Sequence, residues 1–160
     1  MKPSEDIGMK VRRLDNTLRR LAESSPVIKQ VPNMTMVNGW LVVLLDQLER
    51  EGKTVCQHNL EDELGITRSA ISRNLKLMEQ KDLITQKPVE GDARLKRLEL
   101  TDKARGLAKE LEDEGKATEK MLLKGFTKEE KETLSGYIDR MMSNLEAAAA
   151  ELNEQGGDVK

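Results

Sequence analysis

The apolar residues Ile7, Val11, Leu14, Leu18 and Leu21 recur at steps of 4, 3, 4 and 3. That spacing places them on one stripe of a helix and predicts a helix over residues 5–24. The stripe is as narrow as a coiled-coil seam, with Arg12, Arg13, Arg19 and Arg20 outside it. Pro26 and Pro32 then interrupt the chain. Residues 36–50 are the most apolar stretch and contain the run Trp40, Leu41, Val42, Val43, Leu44 and Leu45. Its length, and the continuation through Leu48, Glu49 and Arg50, favour a buried helix over a strand, ending at Gly52.

The next segment changes rhythm. Residues 57–64 read as a short helix with Leu60 and Leu64 inward, followed by Gly65, Ile66 and the capping residue Thr67. A second helix is predicted over 68–81, with Ala70, Ile71, Leu75 and Met78 as its apolar side. A short helix, a glycine-containing turn and a second helix make the helix-turn-helix pattern. Residues 83–89 are extended, Glu90, Gly91, Asp92 and Ala93 form a turn, and residues 94–100 alternate with Leu98 and Leu100 on one face. This predicts a β-hairpin directly after the second helix, the place of a wing. Thr101 caps a further helix with Leu107, Leu111, Met121 and Leu122 as inward positions. Gly125 and Phe126 break it, and Thr127 with Glu130 restarts it as a capping box. Leu134, Ile138, Met141, Leu145, Ala148 and Leu152 then repeat at steps of 4, 3, 4, 3 and 4, and residues 153–160 are expected to fray. The fold class is therefore mainly α with a small β-hairpin.

Charge adds a direction to this outline. The net charge is −2, which argues against a polyanionic partner until it is divided along the chain. Residues 1–66 carry 9 basic and 10 acidic side chains, residues 67–105 carry 10 and 6, and residues 106–160 carry 8 and 13. The positive excess lies on the helix-turn-helix and hairpin, and the acidic C-terminal segment masks it in the total.

On the predicted helix 68–81, Ser69, Ser72, Arg73 and Lys76 fall at i, i+3, i+4 and i+7 and share a stripe away from the apolar side. Arg68 and Ser69 stand at the N-terminus, where recognition helices meet base edges. Alone, such a stripe describes many solvated helices; the short helix before it and the hairpin after it make it a groove-facing surface. Around the hairpin tip stand Lys87, Arg94, Lys96 and Arg97, a set suited to phosphate and to the negative potential of a minor groove. Asp92 lies close enough in sequence to pair with the Arg94 side chain and aim it.

Several classes are set aside. There is no nucleophile–base pair, Gly-rich phosphate loop or metal-ligand cluster, so neither an enzyme nor a cofactor is expected. His58, the only histidine, stands two residues from Cys56, the only cysteine, and structural zinc needs four ligands. Cys56 reads as a buried structural residue. Only Trp40, Phe126 and Tyr137 are aromatic, too few for a stacking platform on single-stranded nucleic acid. The lone cysteine and the six-residue limit of the apolar runs predict a cytoplasmic protein with no membrane partner.

One family shares this arrangement. The run Leu60-Glu61-Asp62-Glu63-Leu64-Gly65-Ile66-Thr67, then Met78-Glu79-Gln80-Lys81-Asp82-Leu83-Ile84, then Asp92-Ala93-Arg94, then Leu98-Glu99-Leu100-Thr101 resembles the MarR family of bacterial transcription regulators. The resemblance implies a winged helix-turn-helix homodimer that binds duplex DNA, with long N- and C-terminal helices as the dimerisation region. It divides the chain into a dimerisation helix and linker (1–35), a DNA-binding domain (36–105), and C-terminal dimerisation helices (106–160). By match to its motif, Arg94 would be the minor-groove arginine and Asp92 its partner. Asp82 stands where the family usually has glycine, and the frequent proline before the wing aspartate is missing. The family also implies a repressor relieved by a phenolic or lipophilic effector. Met34, Met36 and Trp40 would line the crevice for it, although core packing is the favoured reading of Trp40. The rival reading is a helical dimeric protein-interaction module that binds no DNA.

Overall fold

In the computed structural model, which describes residues 6–156, Asp6 opens the first helix: its carboxylate accepts from the backbone N–H of Gly8 at 2.7 Å and of Met9 at 3.3 Å. This helix, α1 (Ile7–Glu23), begins two residues after the expected start at Glu5, which lies outside the described residues. Pro26 does more than interrupt the chain. It occupies the first turn of a four-residue helix, α2 (Pro26–Lys29), capped by the Ser25 hydroxyl. Proline suits that position because its missing N–H would have no helical partner there.

Next come α3 (Met36–Arg50), α4 (Gln57–Leu64) and α5 (Arg68–Gln80). Strands β1 (Ile84–Val89) and β2 (Asp92–Leu100) pair antiparallel in a two-stranded sheet, and α6 (Asp102–Leu122) and α7 (Lys128–Gly156) complete the chain. The helix-turn-helix and hairpin stand where the periodicities put them. The chain divides into two compact units, Met1–Lys116 and Ala117–Lys160, with the division inside α6.

The core of the first unit gathers one face from each element. Leu41, Val42 and Leu45 come from α3, Leu60 from α4, and Ile71, Leu75 and Met78 from α5. Leu83 and Ile84, Leu98 and Leu100, and Ala104, Leu107, Ala108 and Leu111 close it. Burying each large side chain of this kind contributes about 1.5–3 kcal/mol. Gly39 lets α3 approach its neighbours: a Cβ there would stand 3.0 Å from the Ile28 Cδ1 and 3.5 Å from a Leu111 methyl.

Two polar clasps hold this core to the hairpin. Glu49 of α3 accepts the Leu100 N–H at 2.8 Å and the Arg105 guanidinium at 2.9 Å, joining α3, the end of β2 and α6. The Leu98 N–H donates to the Val55 carbonyl at 2.8 Å, so the outer edge of β2 is partly satisfied.

Two expectations for the C-terminal half need correction. Met121 and Leu122 are exposed rather than inward, since the buried positions of α6 end at Leu111. The helix also continues through residues 153–156, where fraying was expected; residues 157–160 lie outside the described residues. Thr127 and Glu130 form the expected capping box, with bonds of 3.2 and 2.8 Å.

Candidate nucleic-acid interface

The turn between α4 and α5 fixes the second helix. Gly65 adopts φ 59°, the left-handed conformation that a side chain disfavours. The Thr67 hydroxyl then accepts the Ala70 N–H at 3.4 Å and opens α5. With Ile71, Leu75 and Met78 fully buried, helical geometry turns Ser69, Ser72, Arg73 and Lys76 outward, and all four are exposed beside Arg68. Among the described residues, Arg68, Arg73 and Lys76 have no carboxylate within ion-pair distance. Three unneutralised cations and two hydroxyls thus share a surface that begins at the positive end of a helix dipole.

Two residues that position this helix left no mark in the sequence pattern. Gln57 of α4 accepts the Ser72 hydroxyl at 3.2 Å and donates to Glu61 at 2.9 Å and to the Arg68 carbonyl at 3.4 Å. Asn38, the one buried polar residue among the described residues, accepts the Thr35 N–H at 3.1 Å. It also donates to Asn74 of α5 at 3.2 Å and accepts from the Lys81 ammonium at 3.3 Å. Partial burial holds the Lys81 ammonium below its usual pKa. Both side chains couple elements distant in the chain, which no local periodicity reports.

At the far end of α5, the Leu83 N–H reaches the Met78 carbonyl at 2.9 Å and the Asp82 N–H reaches the Glu79 carbonyl at 3.0 Å. This is a Schellman ending, and it places Asp82 at φ 57°. The position where the resembling family usually has glycine is therefore a left-handed one.

In the hairpin, Ile84 faces Leu100, Thr85 faces Glu99, Gln86 faces Leu98, and Lys87 faces Arg97. Beyond Pro88, which faces Lys96, the register shifts so that Val89 faces Asp92. Pro88 has no N–H to continue the ladder, and residues 93–95 bulge from β2 at the tip. Arg94 lies in that bulge, exposed beside Lys96. The expected pairing of Asp92 with the Arg94 guanidinium is corrected: the carboxylate accepts the Arg94 backbone N–H at 2.9 Å. An aspartate two residues before an N–H closes a local turn more readily than it reaches a long side chain. Lys87 and Arg97 each pair with Glu99 at 2.5 Å.

The proposed crevice residues separate. Met34 and Met36 are buried, whereas Trp40 is 49% exposed, so core packing does not describe it. The core face of α3 runs through Asn38, Leu41, Val42 and Leu45, and the roughly 100° step of a helix turns Trp40 off it. Cys56 is buried at the start of α4, and His58 is exposed.

A model of the MarR family matches residues 42–95, from within α3 to the hairpin tip. Over this segment the chain is similar to the MarR family. Over 141 residues it is 28% identical to the Bacillus subtilis HTH-type transcriptional regulator YybA, covering 88% of this chain and 87% of that one. The transcription regulator MarR from Oenococcus oeni superposes with a TM-score of 0.73 at 27% identity, covering 86% of this chain and 99% of that one. The S. aureus MepR–DNA complex superposes with a TM-score of 0.75 over 88% of this chain and 96% of that one; at 21% identity the likeness is one of fold. The fold that this chain shares with these regulators is the winged helix-turn-helix. Among its described residues, no helix is long and apolar enough to cross a membrane.

Proposed function

We propose that this protein is a MarR-family regulator that represses transcription by binding a pseudo-palindromic duplex as a homodimer, with α5 in the major groove and the hairpin tip in the adjacent minor groove. The observation that carries the reading is the set of free, exposed cations on two elements: Arg68, Arg73 and Lys76 on α5, with Arg94 and Lys96 at the hairpin tip, none held by a carboxylate among the described residues. The fold it shares with MepR, solved with DNA, agrees with that use.

Dimer formation rests on two apolar surfaces. Ile7, Val11, Leu14 and Leu21 of α1 are 43–58% exposed. On α7, Ile138, Met141, Leu145 and Leu152 are 37–72% exposed. Stripes of this length are characteristic of an interface. In this reading residues 1–35 and 106–160 form the dimerisation region and residues 36–105 read DNA. Two-fold symmetry sets the half-sites roughly one helical turn, about 10 base pairs, apart. A phenolic or lipophilic effector is proposed to release the DNA by binding against Trp40, whose half-exposed indole is the chain's only tryptophan.

Selection from a pool of random duplexes tests the reading. Recovery of inverted repeats, with a dimer in sedimentation, supports it; no enrichment supports the protein-interaction reading, and an 18.1 kDa monomer at micromolar concentration removes the dimer. Salicylate titration followed by Trp40 emission and DNA release tests the effector separately.

A further inference from the structure

The basic side chains of this surface are of two kinds. Those on α5 and at the hairpin tip are free of carboxylates among the described residues, while Lys87 and Arg97 are not. These two stand directly opposite each other across the hairpin. Like charges so placed repel. Glu99 is two residues from Arg97 and therefore on the same face of β2, opposite Thr85, which shares that face of β1 with Lys87. One carboxylate oxygen takes the Lys87 ammonium and the other takes the Arg97 guanidinium. A phosphodiester would meet the pair in the same way, with two anionic oxygens between two donors.

We propose that Glu99 is an intramolecular competitor of DNA phosphate: it occupies Lys87 and Arg97 in the free protein, and so limits how tightly the wing holds duplexes that α5 does not recognise. The proposal rests on the DNA-binding reading above. Sequence-independent phosphate contacts supply most non-specific binding, and the ratio of specific to non-specific affinity governs site choice. A carboxylate that occupies two wing cations and cancels one of their two charges lowers the first quantity, while the base-facing stripe Ser69, Ser72, Arg73 and Lys76 is untouched. The cluster is accessible enough to exchange partners, since the Lys87 and Arg97 side chains are 56% and 45% exposed. The hydrogen bond from Lys87, then the charges of Arg97 and Arg105, hold the Glu99 carboxyl below its usual range, so it is an anion at neutral pH.

The test is Glu99→Gln in the full chain, titrated by fluorescence anisotropy against a duplex recovered by selection and an unselected duplex, each at low and high potassium chloride. Glutamine keeps the shape and removes the charge. The unselected duplex should bind about three- to tenfold more tightly at low salt, the effect of deleting one nearby negative charge at a surface dielectric. The salt slope should steepen by about 1. The selected duplex should gain less, narrowing the ratio. In a Lys87→Gln, Arg97→Gln background the effect of Glu99→Gln should vanish.

Unchanged affinity and slope in Glu99→Gln overturn the proposal, as does an equal gain in the background lacking both cations, which would be a diffuse field effect. Glu99→Thr, which suits a strand, covers the case in which glutamine disturbs the hairpin; loss of affinity in both variants assigns Glu99 to holding the wing and overturns the proposal. A parent protein that binds neither duplex overturns the DNA-binding reading, and the proposal with it.

Discussion

Replacing Asp82 with glycine should make the protein more stable while leaving DNA recognition alone. Asp82 has φ 57° at the residue after the last turn of α5. A left-handed conformation costs an L-residue roughly 1–2 kcal/mol, and aspartate, which tolerates it better than most, lies near 1. Its carboxylate also stands at the negative end of the α5 dipole; exposed to water, this adds about 0.3 kcal/mol of repulsion. Among the described residues the carboxylate makes no hydrogen bond or ion pair to offset either effect. Glycine removes both penalties but gives the unfolded chain more freedom, costing about 0.4–1 kcal/mol. The net gain is about 0.5 kcal/mol, or a Tm rise of roughly 1–2 °C for a chain of this size. Circular dichroism melts at one fixed concentration measure it, since self-association makes a Tm depend on concentration. Asp82→Asn should recover only the charge contribution, and Asp82→Val, β-branched in a left-handed site, should lose more than 1 kcal/mol. If glycine lowers the Tm and valine is neutral, the left-handed assignment at this joint is wrong.

Three further outcomes are expected. Asn38→Ala removes half of the α3 capping box and the bridge to Asn74 and Lys81, and should lower stability by about 2–4 kcal/mol in urea unfolding; a loss under 1 kcal/mol would show that water replaces the bridge. Arg73→Ala should cost roughly 1–3 kcal/mol on a selected site and relax one position per half-site, whereas Arg94→Ala should weaken selected and scrambled duplexes together and flatten the salt slope by about 1; titrating both duplexes at two salt concentrations separates them. Because the folded-state pKa of Glu99 lies below its ordinary 4.5, its pairing stabilises the hairpin above that pH and is lost as the pH falls through the lowered value. Acid melts of the parent should therefore show a decline in this window that Glu99→Gln lacks, and identical profiles would count against the pairing.

Whatever depends on neighbours a few residues apart is legible in the chain's local pattern. The 3.6-residue period placed Ile71, Leu75 and Met78 inside and Ser69, Ser72, Arg73 and Lys76 outside, because a helix that buries one face must expose the other. Thr67, Thr101 and the Thr127–Glu130 box marked helix starts, because a cap is a bond between residues three apart. The tertiary structure alone decided contacts that cross the chain. Asn38 meets Asn74, Glu49 meets Leu100 and Arg105, and Gln57 meets Ser72 because packed helices bring them together, and a single polar residue carries no period to announce that. The exposure of Trp40 has a related origin: in an apolar run, composition does not say which side meets the core. Backbone geometry supplied the rest. The break at Pro88 and the turn at Asp92 gave the aspartate the Arg94 N–H rather than its guanidinium, and cross-strand register left Glu99 between Lys87 and Arg97, where charge along the chain shows only a basic stretch.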